Sequence, residues 1–397
     1  MKNGGALPDL PLLSLPMVAI TTAQFLSALA DNALLIAAIA LLKTESHADL
    51  IPWLQESFIV PYIALAPFAG PIADSFPKGR VMFSGNALKL AGASFILAGV
   101  NPLLGYALAG IGATIYSPAK YGILTQLFNA GKLIRANGVL EGSTIAAILL
   151  GVVAGGVLAD RSVNLALMAV VTLYVLAAGA NLLIPHLSPE RSLSRTSLSV
   201  LIKDFLAALT TMATNRDARF SLIGSSIFWG AGAALRLLLF AWVPIALGIA
   251  DNQTPSLLMA ALSIGIVLGA LGAGGFITIT TVNRALIGGL LLGPLVLAMA
   301  YSAAMALTVI LLILIGACGG ILVVPLNALL QERGHQTIGA GRAVAVQNLF
   351  ENLSMLLFVG LYAGMQSAGI AVIPTAAMLG TLLFAGLLAL STWRLKK

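Results

Sequence analysis

Apolar runs of about twenty residues follow one another along almost the whole chain, and they decide its solvent before any motif is considered. A run of that length crosses the hydrocarbon layer of a bilayer as one α-helix. Of 397 residues, 59% are hydrophobic and only 9% charged, and the mean hydropathy is +1.01. A soluble domain carries about 25% charged residues. A chain this poor in charge cannot clothe its surface in groups compatible with water, so the expected solvent is lipid. Forty-one glycines suit that solvent, because small residues let membrane helices approach closely. The length leaves room for about twelve spans. They are expected at 17–42, 51–73, 80–100, 102–126, 134–160, 163–185, 219–247, 255–278, 282–302, 303–330, 340–366 and 370–393. The joins near 101 and 302 are very short. The first run lacks a charged leader and a small-residue cleavage site, and reads as a retained helix.

The distribution of basic residues orients these spans. With a cytoplasmic N-terminus, the inner segments hold Lys2, Lys78, Arg80, Lys132, Arg135, the five basic residues from Arg191 to Arg219, Arg284, Arg333, Arg342, Arg394, Lys396 and Lys397. The outer side holds Lys43 and Arg161. Sixteen against two is a strong positive-inside bias, placing both termini in the cytoplasm and requiring an even number of spans. The net charge of +7 therefore speaks for topology and not for nucleic acid.

One long polar stretch interrupts the runs. It divides the chain into an N-terminal six-helix bundle (1–186), a cytoplasmic linker (187–217) and a C-terminal six-helix bundle (218–397), with a short surface helix expected around 199–211. The halves echo each other. Pro118, Lys120, Arg135 and Glu141 recur 207 positions later as Pro325, Asn327, Arg342 and Asn348. Gly70 and Arg80 recur 204 positions later as Gly274 and Arg284. Duplicated halves with a site between them are characteristic of secondary transporters.

Between the second and third spans stands Gly70-Pro-Ile-Ala-Asp74-Ser-Phe-Pro-Lys78-Gly-Arg80. It resembles the loop signature of the major facilitator superfamily: Gly, three residues, Asp, then a basic cluster. Gly70 permits close helix approach. Asp74, at a helix end, can pair with Arg80 or cap a neighbouring helix N-terminus. Gly70, Asp74, Lys78 and Arg80 are thus candidates for a conformational latch. Thr278 stands where the second half would repeat Asp74, so no second ion pair is expected there. Gly151, Gly155 and Gly156 form a small-residue packing face on the fifth span.

Six ionisable residues fall well inside spans: Asp31, Lys89, Lys120, Glu141, Arg236 and Glu351. A charge at a helix centre costs about 2.5–3.5 kcal/mol on insertion scales. Three acids and three bases should therefore face a shared interior and partner one another. Asn32, Gln347 and Asn348 add polar company, and Asp31 and Arg236, 205 positions apart, should take related places in the two halves. The candidate substrate-binding set is Asp31, Asn32, Lys120, Glu141, Arg236, Gln347, Asn348 and Glu351. The remaining lining must be apolar, which suits an amphipathic substrate, though a drug or small organic ion would also fit.

His47, His186 and His335 are all expected in loops, away from any intramembrane proton relay. No cofactor or metal site is expected, since Cys318 is alone and no Cys/His cluster has ligand spacing. An acyltransferase would show His-x4-Asp, but Pro52, Arg191 and Ala340 follow the three histidines at that distance. No Gly-x-Ser-x-Gly elbow or phosphate-binding loop is present either. A transporter driven by a gradient, or facilitated, is the expected class, and a continuous pore suits paired charges in repeated halves less well.

Several stretches resemble the bacterial lysophospholipid transporter family (LplT) specifically. They are residues 23–35 around Asp31-Asn32, 116–124 around Lys120, 136–141 ending in Glu141, 324–334 and 345–352 around Gln347-Asn348 and Glu351. The resemblance runs from about residue 17 to the C-terminus. It implies the major facilitator fold and a flippase of the bacterial inner (cytoplasmic) membrane. Such a protein moves lysophosphatidylethanolamine and lysophosphatidylglycerol from the outer to the inner leaflet. It also implies a functional partner, a cytoplasmic-face acyltransferase/acyl-carrier-protein synthetase that re-acylates them. Under that implication Arg236 and Lys120 suit the phosphate, and Asp31, Glu141 or Glu351 suit the ammonium of an ethanolamine head. The competing reading is a drug or organic-ion antiporter of the same fold.

Overall fold

The computed structural model describes residues 11–45, 50–190, 198–249 and 253–396. Lys2, His47, Arg191, Arg195 and Lys397 lie outside the described residues, so their expected places are left as expectations. Among the described residues there is no strand. The helices are α1 (Leu15–Thr44), α2 (Ile51–Ala64), α3 (Ala66–Ser75), α4 (Lys78–Leu97), α5 (Pro102–Leu127), α6 (Ala130–Arg161) and α7 (Val163–Leu182). They continue as α8 (Leu198–Thr214), α9 (Arg216–Ala246), α10 (Gln253–Phe276), a 3-10 turn (Ile279–Arg284), α11 (Ala285–Ala300), α12 (Met305–Thr337), α13 (Ala340–Ser367) and α14 (Val372–Leu395).

Local chemistry explains where these helices start and break. The side chains of Asn101, Asn129, Ser162 and Asn215 accept first-turn N–H groups of α5, α6, α7 and α9, satisfying donors the helix itself cannot. Gly99, at φ +82°, lets the chain turn back between α4 and α5. The second expected span proves to be two helices, bent by 67° at Leu65. Pro67 has no N–H to continue the ladder, and its ring crowds the preceding turn.

Among the described residues, nine helices are long and apolar enough to cross a membrane, and the bent pair α2–α3 adds a tenth. Helices α4 and α5 reach spanning length, at 20 and 26 residues, but bury polar groups such as Asn86, Lys89 and Lys120. The short helix expected around 199–211 is α8, which buries Phe205, Ala208 and Met212 along one stripe and exposes Ile202 and Leu206. His335, expected in a loop, sits instead in the last turn of α12, because that helix continues through Thr337.

Packing gathers the chain into two compact units. The first comprises Met1–Ala136, Ser143–Met212 and Gln331–Leu349; the second comprises Asn137–Gly142, Ala213–Leu330 and Phe350–Lys397. In the first, Leu34, Leu54, Ile96, Ala109, Leu167 and Tyr174 build an apolar core from α1, α2, α4, α5 and α7. Small residues set the helix spacing. A Cβ on Gly85 would come within 2.8 Å of the Gly112 carbonyl, and one on Gly155 within 2.9 Å of the Ala33 Cα. Helix α6 therefore packs on α1 through the small-residue face read from sequence, while Gly156 meets nothing. In the second unit, α10 and α12 touch backbone to backbone at Gly265, Gly269, Gly316 and Gly320. The buried Trp242 donates its indole N–H to the Ala300 carbonyl at 3.0 Å.

Candidate functional site

In the first unit, Ser27 and Asp31 lie one turn apart on α1, and Asn86 and Lys89 lie one turn apart on α4. The Lys89 ammonium donates to Asp31 Oδ2 at 2.7 Å and to the Ser27 hydroxyl at 2.9 Å. The Ser27 hydroxyl in turn donates to Asn86 Oδ1 at 2.7 Å, and the Tyr174 hydroxyl of α7 donates to Asp31 Oδ1 at 2.7 Å. The Tyr116 ring lies 5.0 Å from the Lys89 nitrogen. A buried ammonium persists only when paired and hydrogen-bonded, and Lys89 has both. The pair is asymmetric: the Lys89 side chain is 3% exposed and that of Asp31 21%. The acid is thus the member that keeps an open edge.

Other candidate residues of this unit make shorter-range contacts. Asn32 donates to the Ala28 carbonyl of its own helix at 2.8 Å. The Asn348 amide donates to Ser117 Oγ at 3.1 Å, tying the start of α13 to α5. Lys120 is buried, with its nitrogen 4.0 Å from the centre of the Tyr121 ring, an attractive cation–π placement. Gln347 is buried as well. Glu141, Arg236 and Glu351 belong to the second unit. There Glu141 and Glu351 are buried, whereas Arg236 on α9 is exposed.

Of the four expected latch residues, Gly70 and Asp74 meet the start of α13, also within the first unit. Asp74, fully buried, accepts the Gly341 N–H at 2.8 Å and the Arg342 N–H at 3.1 Å. Glu190 accepts the Ala340 N–H at 3.3 Å. Two carboxylates thus cap three of the four N–H groups that a helix leaves unpaired at its positive end. Lys78 balances them, 3.1 Å from Glu190 Oε1 and 3.4 Å from Asp74 Oδ1, and His335 Nδ1 stands 3.5 Å from Glu190 Oε2. Burial works against the charged form of Glu190, but the His335 hydrogen bond and the Lys78 ammonium outweigh it and hold the carboxyl at about 2. The contact tolerates no side chain in between. A Cβ on Gly70 would lie 2.6 Å from the Arg342 Cα, and one on Gly341 2.6 Å from Asp74 Oδ1. Arg80 is exposed, so of the two roles open to Asp74 the structure contains the helix cap.

The model of the Major Facilitator Superfamily matches residues 20–359. The lysophospholipid transporter LplT of Yersinia enterocolitica (serotype O:8 / biotype 1B) is 53% identical over 369 residues, 93% of this chain and 91% of that relative. This chain belongs to the LplT family of the Major Facilitator Superfamily. LplT of Yersinia pestis (strain Pestoides F) is 52% identical over 368 residues, covering 92% and 91% of the two chains. Among solved structures, the transporter FucP in the outward conformation aligns with TM-score 0.74 over 96% of this chain and 99% of its own, at 16% identity. The human organic anion transporter MFSD10 aligns with TM-score 0.71 over 94% and 99%, at 15% identity. These two likenesses concern the fold alone. The LplT-family chain is accordingly a multi-pass membrane transporter with the all-α major facilitator fold.

Ser27, Tyr174, Glu190 and His335 are among the residues these clusters add to the sequence candidates. Ser27 and Tyr174 lie in apolar runs; Glu190 falls in the stretch expected as linker, and His335 was expected in a loop. Glu190 follows Pro189, eight residues beyond the end of α7, a place that named no partner for it.

Proposed function

We propose that this chain is a flippase for lysophospholipids such as lysophosphatidylethanolamine and lysophosphatidylglycerol. It carries them from the outer to the inner leaflet of the bacterial inner membrane, where a cytoplasmic-face acyltransferase/acyl-carrier-protein synthetase re-acylates them. The observation that carries this reading is the identity of 52–53%, over more than nine-tenths of the chain, to relatives named lysophospholipid transporters. The proposed architecture counts α4 and α5 as spans, giving twelve. Its six-helix halves are 1–186 and 218–397, joined by 187–217, and both termini are cytoplasmic.

The head-group site of this proposal is Asp31, Asn32, Lys120, Glu141, Arg236, Gln347, Asn348 and Glu351. Arg236 is the phosphate ligand: a guanidinium offers a planar, bidentate fork to phosphate oxygens. Arg236 lies within α9, a helix long and apolar enough to span, where a cation is costly unless it meets an anion. The ammonium of an ethanolamine head goes to the open edge of Asp31. Lys89 and Tyr174 orient that carboxylate, so its role is to receive a second cation and not to balance Arg236. Gly70, Asp74, Lys78 and Arg80 form the latch, acting through the start of α13. Transport of labelled lysophosphatidylethanolamine into cells lacking their own importer tests the reading. Loss with Arg236→Ala at normal expression supports it, and wild-type transport by that variant overturns the phosphate assignment. A drug-resistance phenotype without lysolipid uptake would favour the organic-ion antiporter.

A further inference from the structure

The cap on α13 uses Asp74, Glu190 and Lys78, and the guanidinium of Arg80 takes no part in it. Arg80 is exposed and meets no hydrogen-bond or ion-pair partner among the described residues. It lines a pocket of about 210 Å³ between the first turn of α4 and the end of α7, together with Phe83, Asn181, Leu182 and His186. No acidic side chain lines that pocket. The two segments meet closely, since a Cβ on Gly79 would lie 3.1 Å from the Ile184 Cγ2.

Asn181 is the residue that calls for a ligand. Its side chain is buried, at 2% exposure, yet neither Nδ2 nor Oδ1 has a hydrogen-bond partner among the described residues. Buried polar groups are ordinarily satisfied, and leaving both ends of an amide bare costs free energy. What surrounds that amide favours an anion. Arg80 offers a planar fork of N–H donors, and His186 donates an N–H in either charge state. Helix α4 begins behind Pro77 with no side-chain cap on its first turn, so the positive end of its dipole is unopposed there. The last carbonyls of α7 do not compete. That of Asn181 accepts the Ile184 N–H at 3.2 Å, and that of Ala180 accepts the Leu183 N–H at 3.1 Å.

We infer that this pocket binds the phosphodiester head of an anionic diacyl phospholipid of the phosphatidylglycerol type. Arg80, His186 and the first turn of α4 hold the phosphate oxygens. Asn181 Nδ2 donates to the same phosphate, and Oδ1 accepts a glycerol hydroxyl. The walls argue for a lipid and against a free phosphate: Phe83 and Leu182 are 37% and 71% exposed, an apolar surface for acyl chains beside the charge. An ethanolamine head would bring an ammonium, and no carboxylate lines the pocket to meet it. The orientation proposed above puts these helix ends at the cytoplasmic leaflet, where basic pockets between helices take up anionic head groups. The site is separate from the transported head group and independent of which substrate is carried. His186 stands four residues before Glu190, so a bound lipid steadies the segment whose carboxylate caps α13, and Arg80 joins the latch from the membrane side.

The test measures lipid binding to the purified, delipidated full chain by native mass spectrometry and thermal melts. Phosphatidylglycerol should stay bound and raise Tm by several degrees. Phosphatidylethanolamine with the same acyl chains, and inorganic phosphate, should do neither. Arg80→Gln should weaken phosphatidylglycerol binding about tenfold or more, the scale of a lost charge-assisted hydrogen bond. Asn181→Leu removes an unsatisfied buried amide, so without lipid it should melt above wild type, and it should gain less from phosphatidylglycerol. Arg161→Gln, at an exposed basic residue ending α6, should bind as wild type does. Equal protection by inorganic phosphate would overturn the lipid as the ligand. Binding undiminished in both Arg80→Gln and Asn181→Leu would overturn the site. The readout is binding, so neither result depends on lysolipid transport.

Discussion

Asp74 and Gly341 are 267 positions apart in the chain, yet the carboxylate of the first accepts the backbone N–H of the second at 2.8 Å. The last turn of α3 is thereby fastened to the first turn of α13 by a carboxyl group at a helix N-terminus. Because Asp74 is fully buried and shares Lys78 with Glu190, its removal costs more than one hydrogen bond. Asp74→Asn should destabilise the protein by about 3 kcal/mol, the scale for breaking a buried charge pair. Thermal unfolding of the purified protein should show a Tm lower by several degrees, and an unchanged Tm would mean the cap carries no weight.

Gly341→Ala places a methyl against the same carboxylate, 2.6 Å from Oδ1. It should reproduce the defect of Asp74→Asn, and the double variant should be scarcely worse than either single one. Residues that act through one contact are non-additive by about 0.5–3 kcal/mol. Strictly additive losses in Tm would show that the two positions act separately.

Glu190 adds a pH dependence with a definite sign. Its carboxyl is held at about 2 in the folded protein, below its ordinary 4.5. A depressed carboxylate contributes stability that is complete above the ordinary pKa and is lost as pH falls through the folded one. His335, held above its ordinary value by the same carboxylate, adds a contribution that is lost as pH rises through its titration, so the stability difference between wild type and Glu190→Gln should be fullest near pH 5 to 6 and shrink as pH falls below about 5. Parallel thermal melts measure it, and a difference that grows as pH falls below about 5 would contradict the assignment.

The reach of sequence reasoning follows from what each feature depends on. Helices were legible because apolar runs and their polar joins are local, and even the short breaks near 101 and 302 fall between separate helices. The bend at Leu65 had a local cause in Pro67 that the run of hydrophobic residues concealed. That intramembrane charges must pair was legible from cost alone, but which charges pair was not. Asp31 meets Lys89 because α1 packs on α4 and α7, a property of tertiary arrangement. The same holds for Tyr174, whose hydroxyl looks idle until Asp31 is beside it, and for His335, which only the full length of α12 brings to Glu190.

That pairing makes a separable prediction. Asp31→Asn leaves the buried Lys89 ammonium without its partner and should cost about 3–5 kcal/mol, while Lys89→Met leaves Asp31 with its open edge and should cost less. The double variant Asp31→Asn/Lys89→Met removes both charges and should recover most of that stability, measured by thermal unfolding. Lysolipid transport should not recover with it, because the open carboxylate edge is gone. Recovery of both would make the pair purely structural.

The central claim is that a lysophospholipid crosses the membrane with its phosphate at Arg236. The most direct measurement follows labelled lysophosphatidylethanolamine in spheroplasts that lack their own importer but retain re-acylation, with Arg236→Ala at matched expression beside the wild-type chain. Conversion to diacyl lipid that requires the chain and is lost with Arg236→Ala is the predicted result. Conversion at the same rate without the chain, or undiminished with Arg236→Ala, would contradict it.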